Sequence, residues 1–246
     1  MNDARVALIT GSSSGIGAAV ARRMADAGMC VVVNSTTSVK AGEELAAQLP
    51  RAIYVQGDVA DPADARRLVE ATVEEFGRLD VLVNNAGLTR FIPLDDIEAV
   101  DASVWREIFD VNVIGTWHMM KAAEPHLKAT GDGSIVNISS VSGSRAMGSS
   151  IPYAVSKAAL DHLTRLCGAT FGPEIRVNAV APGLVDTPWY DEAPEVWEGS
   201  REWITANTPL RRVGSPEDVA EAVFALAHAA YTTGSVLMVD GGRHLV

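Results

Sequence analysis

The stretch that most constrains the fold lies near the start of the chain. Residues 5–10, RVALIT, are a short apolar run, and TGSSSGIG overlaps its end at 10–17. GIGAAVARRMADAG then continues as an Ala-rich segment with apolar positions at helical spacing. Strand, glycine turn and helix in that order bring the free N–H groups of a helix N-terminus to where a phosphate can meet them. Gly11 allows the tight turn, Gly15 lets backbone approach a pyrophosphate, and Gly17 permits close packing of helix on strand. Ser13, Ser14 and Ile16 complete this candidate phosphate-binding turn. Its spacing is Gly-x-x-x-Gly-x-Gly rather than the commoner Gly-x-Gly-x-x-Gly, so an ordinary glycine-rich connection is the alternative.

The rest of the chain repeats the alternation. CVVVN at 30–34 reads as a buried parallel strand, 38–49 as a helix, and 52–56 as a strand that ends in Gly57-Asp58-Val59. Asp61 before Pro62 is a cap and first-turn proline for a helix to about Gly77. A strand at 79–83 closes in Asn84-Asn85-Ala86-Gly87, and one long helix is expected over 105–128, with Asn112 inside it and Pro125 kinking its last turn. Strand 134–139 delivers Ser140, a helix covers 153–171, and strand 175–180 leads to Pro182-Gly183. Residues 184–212 read as irregular or helical, and Ser215-Pro216 opens a helix over 216–229 before a last strand at 234–239. This pattern predicts an α/β fold: a Rossmann-type doubly wound sheet of about seven parallel strands flanked by helices, with right-handed crossovers. Ligands of such sheets bind beyond the C-terminal strand ends, where the glycine turn, 84–87, Ser140 and 182–183 all fall.

With 246 residues and 48% hydrophobic content, one domain over 1–246 is expected. No apolar run approaches the roughly 20 residues of a bilayer span, and the N-terminus lacks the pattern of a signal peptide. A net charge of −11 argues against nucleic acid or an anionic membrane as partner. Cys30 and Cys167 lie far apart in apolar contexts, as buried free thiols do in a reducing compartment, and the five histidines show no ligand spacing. The expectation is a soluble, cytoplasmic protein without metal.

Within IPYAVSKAALD at 151–161, Tyr153 and Lys157 stand four apart and share a helix face. A free tyrosine titrates near pH 10 and exchanges protons poorly at neutrality unless a nearby cation stabilises its phenolate. Lys157 can be that cation. A surface Tyr and Lys one turn apart is the bland alternative.

Taken together, TGSSSGIG at 10–17, Asp58-Val59, NNAG at 84–87, Asn112, ISS at 138–140, YAVSK at 153–157 and Pro182-Gly183 with Thr187 resemble the short-chain dehydrogenase/reductase family over essentially the whole chain. Ser140 precedes Tyr153 by 13 positions, the usual spacing in that family, and the resemblance therefore implies Ser140 rather than Ser139. The resemblance implies NAD(P)-dependent interconversion of an alcohol and a carbonyl compound. By it, Tyr153 is the general acid/base, Lys157 lowers the Tyr153 pKa and binds the nicotinamide ribose, and Ser140 holds the substrate oxygen. Asn112 anchors a water of the proton relay, Asp58 contacts the adenine, Asn85, Ala86 and Gly87 line the cofactor, Thr187 lies near its carboxamide, and Val59, Pro182, Gly183 and Val185 are further cofactor-binding residues. The VVVN strand and PLRRVGSPEDVA at 209–220 are similar to the 3-oxoacyl-[acyl-carrier-protein] reductase group.

After the second strand stand Asn34, Ser35, Thr36 and Thr37, with neither an acid to repel a 2′-phosphate nor an arginine to grip one. The resemblance implies NADP(H), because some members of that family hold a 2′-phosphate through hydroxyls at the place of Thr36, with NAD(H) the alternative. The substrate lid is expected over 184–212, whose Trp189, Tyr190, Trp197 and Trp203 suit an apolar or ring-bearing substrate or pack the lid down. A carrier-protein substrate needs a basic dock, but Lys128 is accompanied by Gly131, Pro173 and Glu174, so a small free carbonyl or secondary alcohol is the first reading. A silent dinucleotide-binding sensor or scaffold is the rival of another class, against which the retained Tyr153 and Lys157 speak. The family resemblance further implies a homotetramer.

Overall fold

A computed structural model of the chain describes residues 4–246. Its strands are β1 (Val6–Ile9), β2 (Cys30–Ser35), β3 (Ala52–Gln56), β4 (Val81–Asn84), β5 (Gly133–Ile138), β6 (Ile175–Pro182) and β7 (Val236–Val239). They form one parallel sheet in the order β3-β2-β1-β4-β5-β6-β7. The chain runs outward from β1 to β3, then returns to place β4 on the other side of β1. The crevice at that reversal is where doubly wound sheets bind ligands.

The main helices are α1 (Gly15–Asp26), α2 (Val39–Gln48), α3 (Pro62–Phe76), α4 (Ala102–Phe109), α5 (Thr116–Ala129), α6 (Ile151–Thr170), α7 (Pro194–Asn207) and α8 (Pro216–His228). Period-two alternation divides the strand side chains between two layers. Ala7 and Ile9 of β1 pack with α1, α2 and α8, whereas Leu8 between them packs with α3 and α5 on the other face. Both faces are buried, which is why β1, β2 and β4 read as continuous apolar runs.

Local chemistry sets the helix ends. Asp61 accepts from Ala63 N–H at 2.7 Å and opens α3, which stops at Gly77 in the left-handed region (φ 78°). Ser215 and Asp218 form a reciprocal capping box at the start of α8. At the other end of α8, the nearly buried Arg176 guanidinium donates to the carbonyls of Leu226, Ala227 and Ala229, a cation set against the negative end of the helix.

The helix expected over 105–128 differs most from the sequence reading. It begins at Ala102, capped by Asp101, and is interrupted at Asp110–Gly115 by a π-helical segment before α5. Pro125 does not end α5, which continues to Ala129. Residues 184–212 resolve into a short 3-10 turn at Pro188–Tyr190 and α7, tied to the body by a bridge between Val185 and Gly214.

Candidate active site

A cleft of about 620 Å³ opens along the C-terminal ends of the strands. At one end, Gly11 takes φ +60° and lies so close to the β4 exit that a Cβ there would come within 2.8 Å of Ala86 Cα. Thr10 Oγ1 accepts from the Asn85 and Ala86 N–H groups, and the Asn85 amide donates to the Thr10 and Gly11 carbonyls. The glycine turn and the 85–87 stretch are thereby fixed together as one wall. Ser14 precedes α1 without a side-chain cap, so the first-turn N–H groups keep their capacity for an anion.

Most of the residues singled out in the sequence line this cleft: Gly11, Ser14, Gly15, Ile16, Ser35, Thr36, Asp58, Val59, Asn85, Ala86, Gly87, Ser140, Tyr153, Lys157, Pro182, Gly183, Val185 and Thr187. Ser13, Gly17, Asn34 and Asn112 do not. Gly17 packs under the wall, where a Cβ would fall 2.5 Å from the Asn85 amide. Asn34 is buried, accepts from Gly11 N–H and donates to the Val55 and Gly57 carbonyls. It joins the ends of β1, β2 and β3, and its amide is bonded to their backbone rather than lining the cleft. Ser35, Thr36, Thr37 and Ser38 supply hydroxyls instead, and among the described residues no lysine or arginine lines this end.

At the centre, Ser150 accepts from Tyr153 N–H and caps α6, with Pro152 in its first turn. One turn on, the buried Lys157 Nζ lies 5.7 Å from the Tyr153 ring centre and donates to Ile138 O at 2.9 Å. Burial pushes the Tyr153 hydroxyl up, the nearby Tyr190 adds to this, and a hydrogen bond with Ser140 opposes it. Burial brings Lys157 down to about 8, while the Asp161 carboxylate holds it up. Desolvation is the largest cause at both groups: it keeps the proton on Tyr153 and penalises the charge of Lys157.

Asn112 sits in the π-helical segment. Its amide donates to Leu88 O and Ser156 Oγ, and its carbonyl accepts from Leu88 N–H at 2.7 Å. A side chain committed in this way positions the 87–88 backbone against α6. Asp58 accepts from Ala60 N–H, so it shapes the turn after β3 while lining the cleft. Ser140 likewise accepts from Ser142 N–H at the end of β5.

Sequence reasoning passed over three features. Asp161 is buried, accepts from Ser139 Oγ and stands one turn beyond Lys157; burial pushes its carboxyl up. Its four-residue offset from Lys157 was the available signal. The substrate end is walled by Phe91, Met147, Trp189 and Tyr190, of which Phe91 and Met147 carry no motif. Arg243, from beyond β7, also lines that end. Trp189 lies 6.1 Å from the Tyr153 ring, and Tyr190 stacks between Phe91 and Trp197, so the lid aromatics both face the cleft and hold the lid down. The lid acids are exposed.

The comparisons agree with this geometry. The family model described as enoyl-(acyl carrier protein) reductase matches residues 11–244. The protein named as ketoacyl reductase 2 of the granaticin polyketide synthase from Streptomyces violaceoruber is 59% identical over 244 residues, covering 99% of this chain and 98% of its own. Cis-4-hydroxycyclohexanecarboxylate dehydrogenase of Sinomonas cyclohexanicum is 38% identical, covering 97% and 96%. A solved tyrosine-to-phenylalanine variant of ElxO with NADPH bound superposes with a TM-score of 0.90 at 31% identity, covering 99% and 100%. The chain belongs to the short-chain dehydrogenase/reductase family. It is an NAD(P)-dependent oxidoreductase that interconverts a carbonyl compound and an alcohol.

Proposed function

We propose that Tyr153, Ser140 and Lys157 carry the chemistry, on a small ketone or secondary alcohol, with NADP(H) as the preferred cofactor. The observation that carries this is the convergence of the three side chains on one cleft beside the glycine turn. The residues fit a dinucleotide: the open α1 N-terminus and Gly15 take the pyrophosphate, Asp58 and Val59 the adenine, and Thr187 the nicotinamide end. The bound dinucleotide supplies or accepts the hydride at the carbonyl carbon. Tyr153 gives its proton to the carbonyl oxygen, or removes it in the alcohol direction, and a hydroxyl kept protonated by burial is suited to giving it. Ser140 holds the same oxygen, a donor aimed at developing charge. Lys157, at about 8, titrates close to working pH and can restore the Tyr153 proton. Asn112 keeps the 87–88 backbone in place beside it.

The hydroxyls of Ser35, Thr36, Thr37 and Ser38 support NADP(H) as acceptors and donors for a 2′-phosphate. Residues 184–212 serve as the substrate lid of a single domain. The ring acid and ketoacyl compounds in the relatives' names, with the aromatic wall, support a carbonyl on a ring or acyl body. The chain's net charge of −11 weighs against docking an acidic carrier protein. Exposed apolar side chains on α5, α6 and β7 support a homotetramer, and two buried free thiols support a cytoplasmic location. No helix among the described residues is long and apolar enough to cross a membrane.

The test is oxidation of NADPH and NADH, separately, against a ketone panel. Tyr153→Phe should bind cofactor normally and lose roughly 10²–10⁴-fold in kcat. Undiminished turnover in that variant would overturn the assignment.

A further inference from the structure

One charged group at the substrate end has no task in that chemistry. Asp58, Lys157 and Arg243 are the charged side chains lining the cleft. Asp58 follows β3 and Lys157 lies behind Tyr153, whereas Arg243 enters from the turn after β7. The acid nearest it in sequence, Asp240, is already engaged: its oxygens accept from the Gly242 and His244 N–H groups and pair with the His244 ring. Among the described residues no carboxylate forms an ion pair with Arg243, and its Nε is buried without a hydrogen-bond partner. Aromatic rings stand around it. Its guanidinium carbon lies 5.3 Å from the Trp203 ring centre, and Tyr190 couples electrostatically to both Arg243 and Tyr153.

Arginine keeps its charge at every working pH, and the acid that acts on it, Asp240, does so without an ion pair while bonded to His244, so the partly buried guanidinium costs free energy until an anion reaches it. We propose that Arg243 anchors a carboxylate of the substrate. The ketone or alcohol handled at Tyr153 then carries an ionised acid at its far end, joined by an apolar body lying against Trp189, Tyr190 and Phe91. A single guanidinium with no second cation beside it matches a monoanion; a phosphate would bring a second negative charge that nothing at this end balances. The assignment rests on the carbonyl–alcohol chemistry proposed for Tyr153.

The experiment compares 4-oxocyclohexanecarboxylate with its uncharged carboxamide, by kcat/KM and by quenching of tryptophan fluorescence in the presence of NADP⁺. In the wild type the acid should exceed the amide by roughly 10- to 100-fold in both readouts, the range of a charge-assisted contact. In Arg243→Gln the acid-to-amide ratio should fall toward one, through KM, and Arg243→Lys should restore part of it. Equal treatment of acid and amide by the wild type, failure of the acid to bind, or an unchanged ratio in Arg243→Gln would overturn the anchor. The wild-type comparison decides the matter even where a variant folds poorly. Tyr153-dependent turnover of neutral ketones without acid preference would remove the anchor and leave the catalytic reading. Acid binding lost in Arg243→Gln, with no Tyr153-dependent turnover of any ketone, would do the reverse.

Discussion

Lys157 shows how one residue sets stability against function. Its ammonium is buried, and the fall from 10.5 to about 8 measures what the fold gives up to hold the charge there, at most about 3 kcal/mol at 1.36 kcal/mol per pH unit. Below pH 8 the lysine is protonated in both folded and unfolded chains, so the cost is fully present. As the pH rises from 8 toward 10.5, the folded state releases its proton first and stability rises. Lys157→Met should therefore be about 1–2 kcal/mol more stable than the wild type at pH 7, net of the lost bond to Ile138. Urea unfolding should show that gain shrinking steadily above pH 8, while turnover is lost at every pH. A variant less stable than the wild type at pH 7 would mean that the bond to Ile138 outweighs the buried charge. Spacing put Tyr153 and Lys157 on one helix face and Ser140 at the end of an apolar strand, and the resemblance to the family's motifs singled them out. Asn34 was misjudged. Its place at the end of β2 suggested a ribose contact, but three strand ends converge there, and the amide bonds their backbone groups first.

At the scale of elements, the π-helical segment between α4 and α5 is the least legible part of the chain. Apolar periodicity ran through it almost undisturbed, since one extra residue per turn barely shifts a short pattern. What the interruption achieves is contact with the turn after β3. A Cβ on Gly115 would lie 2.9 Å from Val59 Cγ2 and 3.1 Å from Val59 backbone. Gly115→Ala should cost about 1–3 kcal/mol of stability through overpacking. Because Val59 lines the cleft at the end proposed for the adenine, the same change should weaken dinucleotide binding several-fold by isothermal titration. Loss of stability with unchanged cofactor affinity would show that the strain is absorbed on the helix side. By contrast α3, α6 and α8 were legible nearly to the residue, because Asp61, Ser150 and Ser215 each cap a helix that carries proline in its first turn.

For the whole molecule, the surface carries its own prediction. Val155 and Leu166 on α6, Trp117 on α5 and Leu237 on β7 are exposed apolar side chains. Light scattering should return about four times the 26.0 kDa of one chain, and a charge at Leu166 should lower that mass. A monomeric mass in the unaltered protein would remove the tetramer. The sequence by itself determined the class of fold, the order of strands and helices, and the three side chains at the centre of the cleft. The fold class and the order of elements follow from local propensity, capping and period, quantities that act within a few residues, and the three side chains from their match to the family's motifs. Only the tertiary structure decided which polar side chains were free to meet a ligand. It committed Asn34 to backbone and Asn112 to Leu88 and Ser156, brought Asp161 beside Ser139, and placed Arg243 on the cleft lining beside Trp203. Those outcomes depend on hydrogen-bond demand and burial between segments distant in sequence, and no local pattern encodes them.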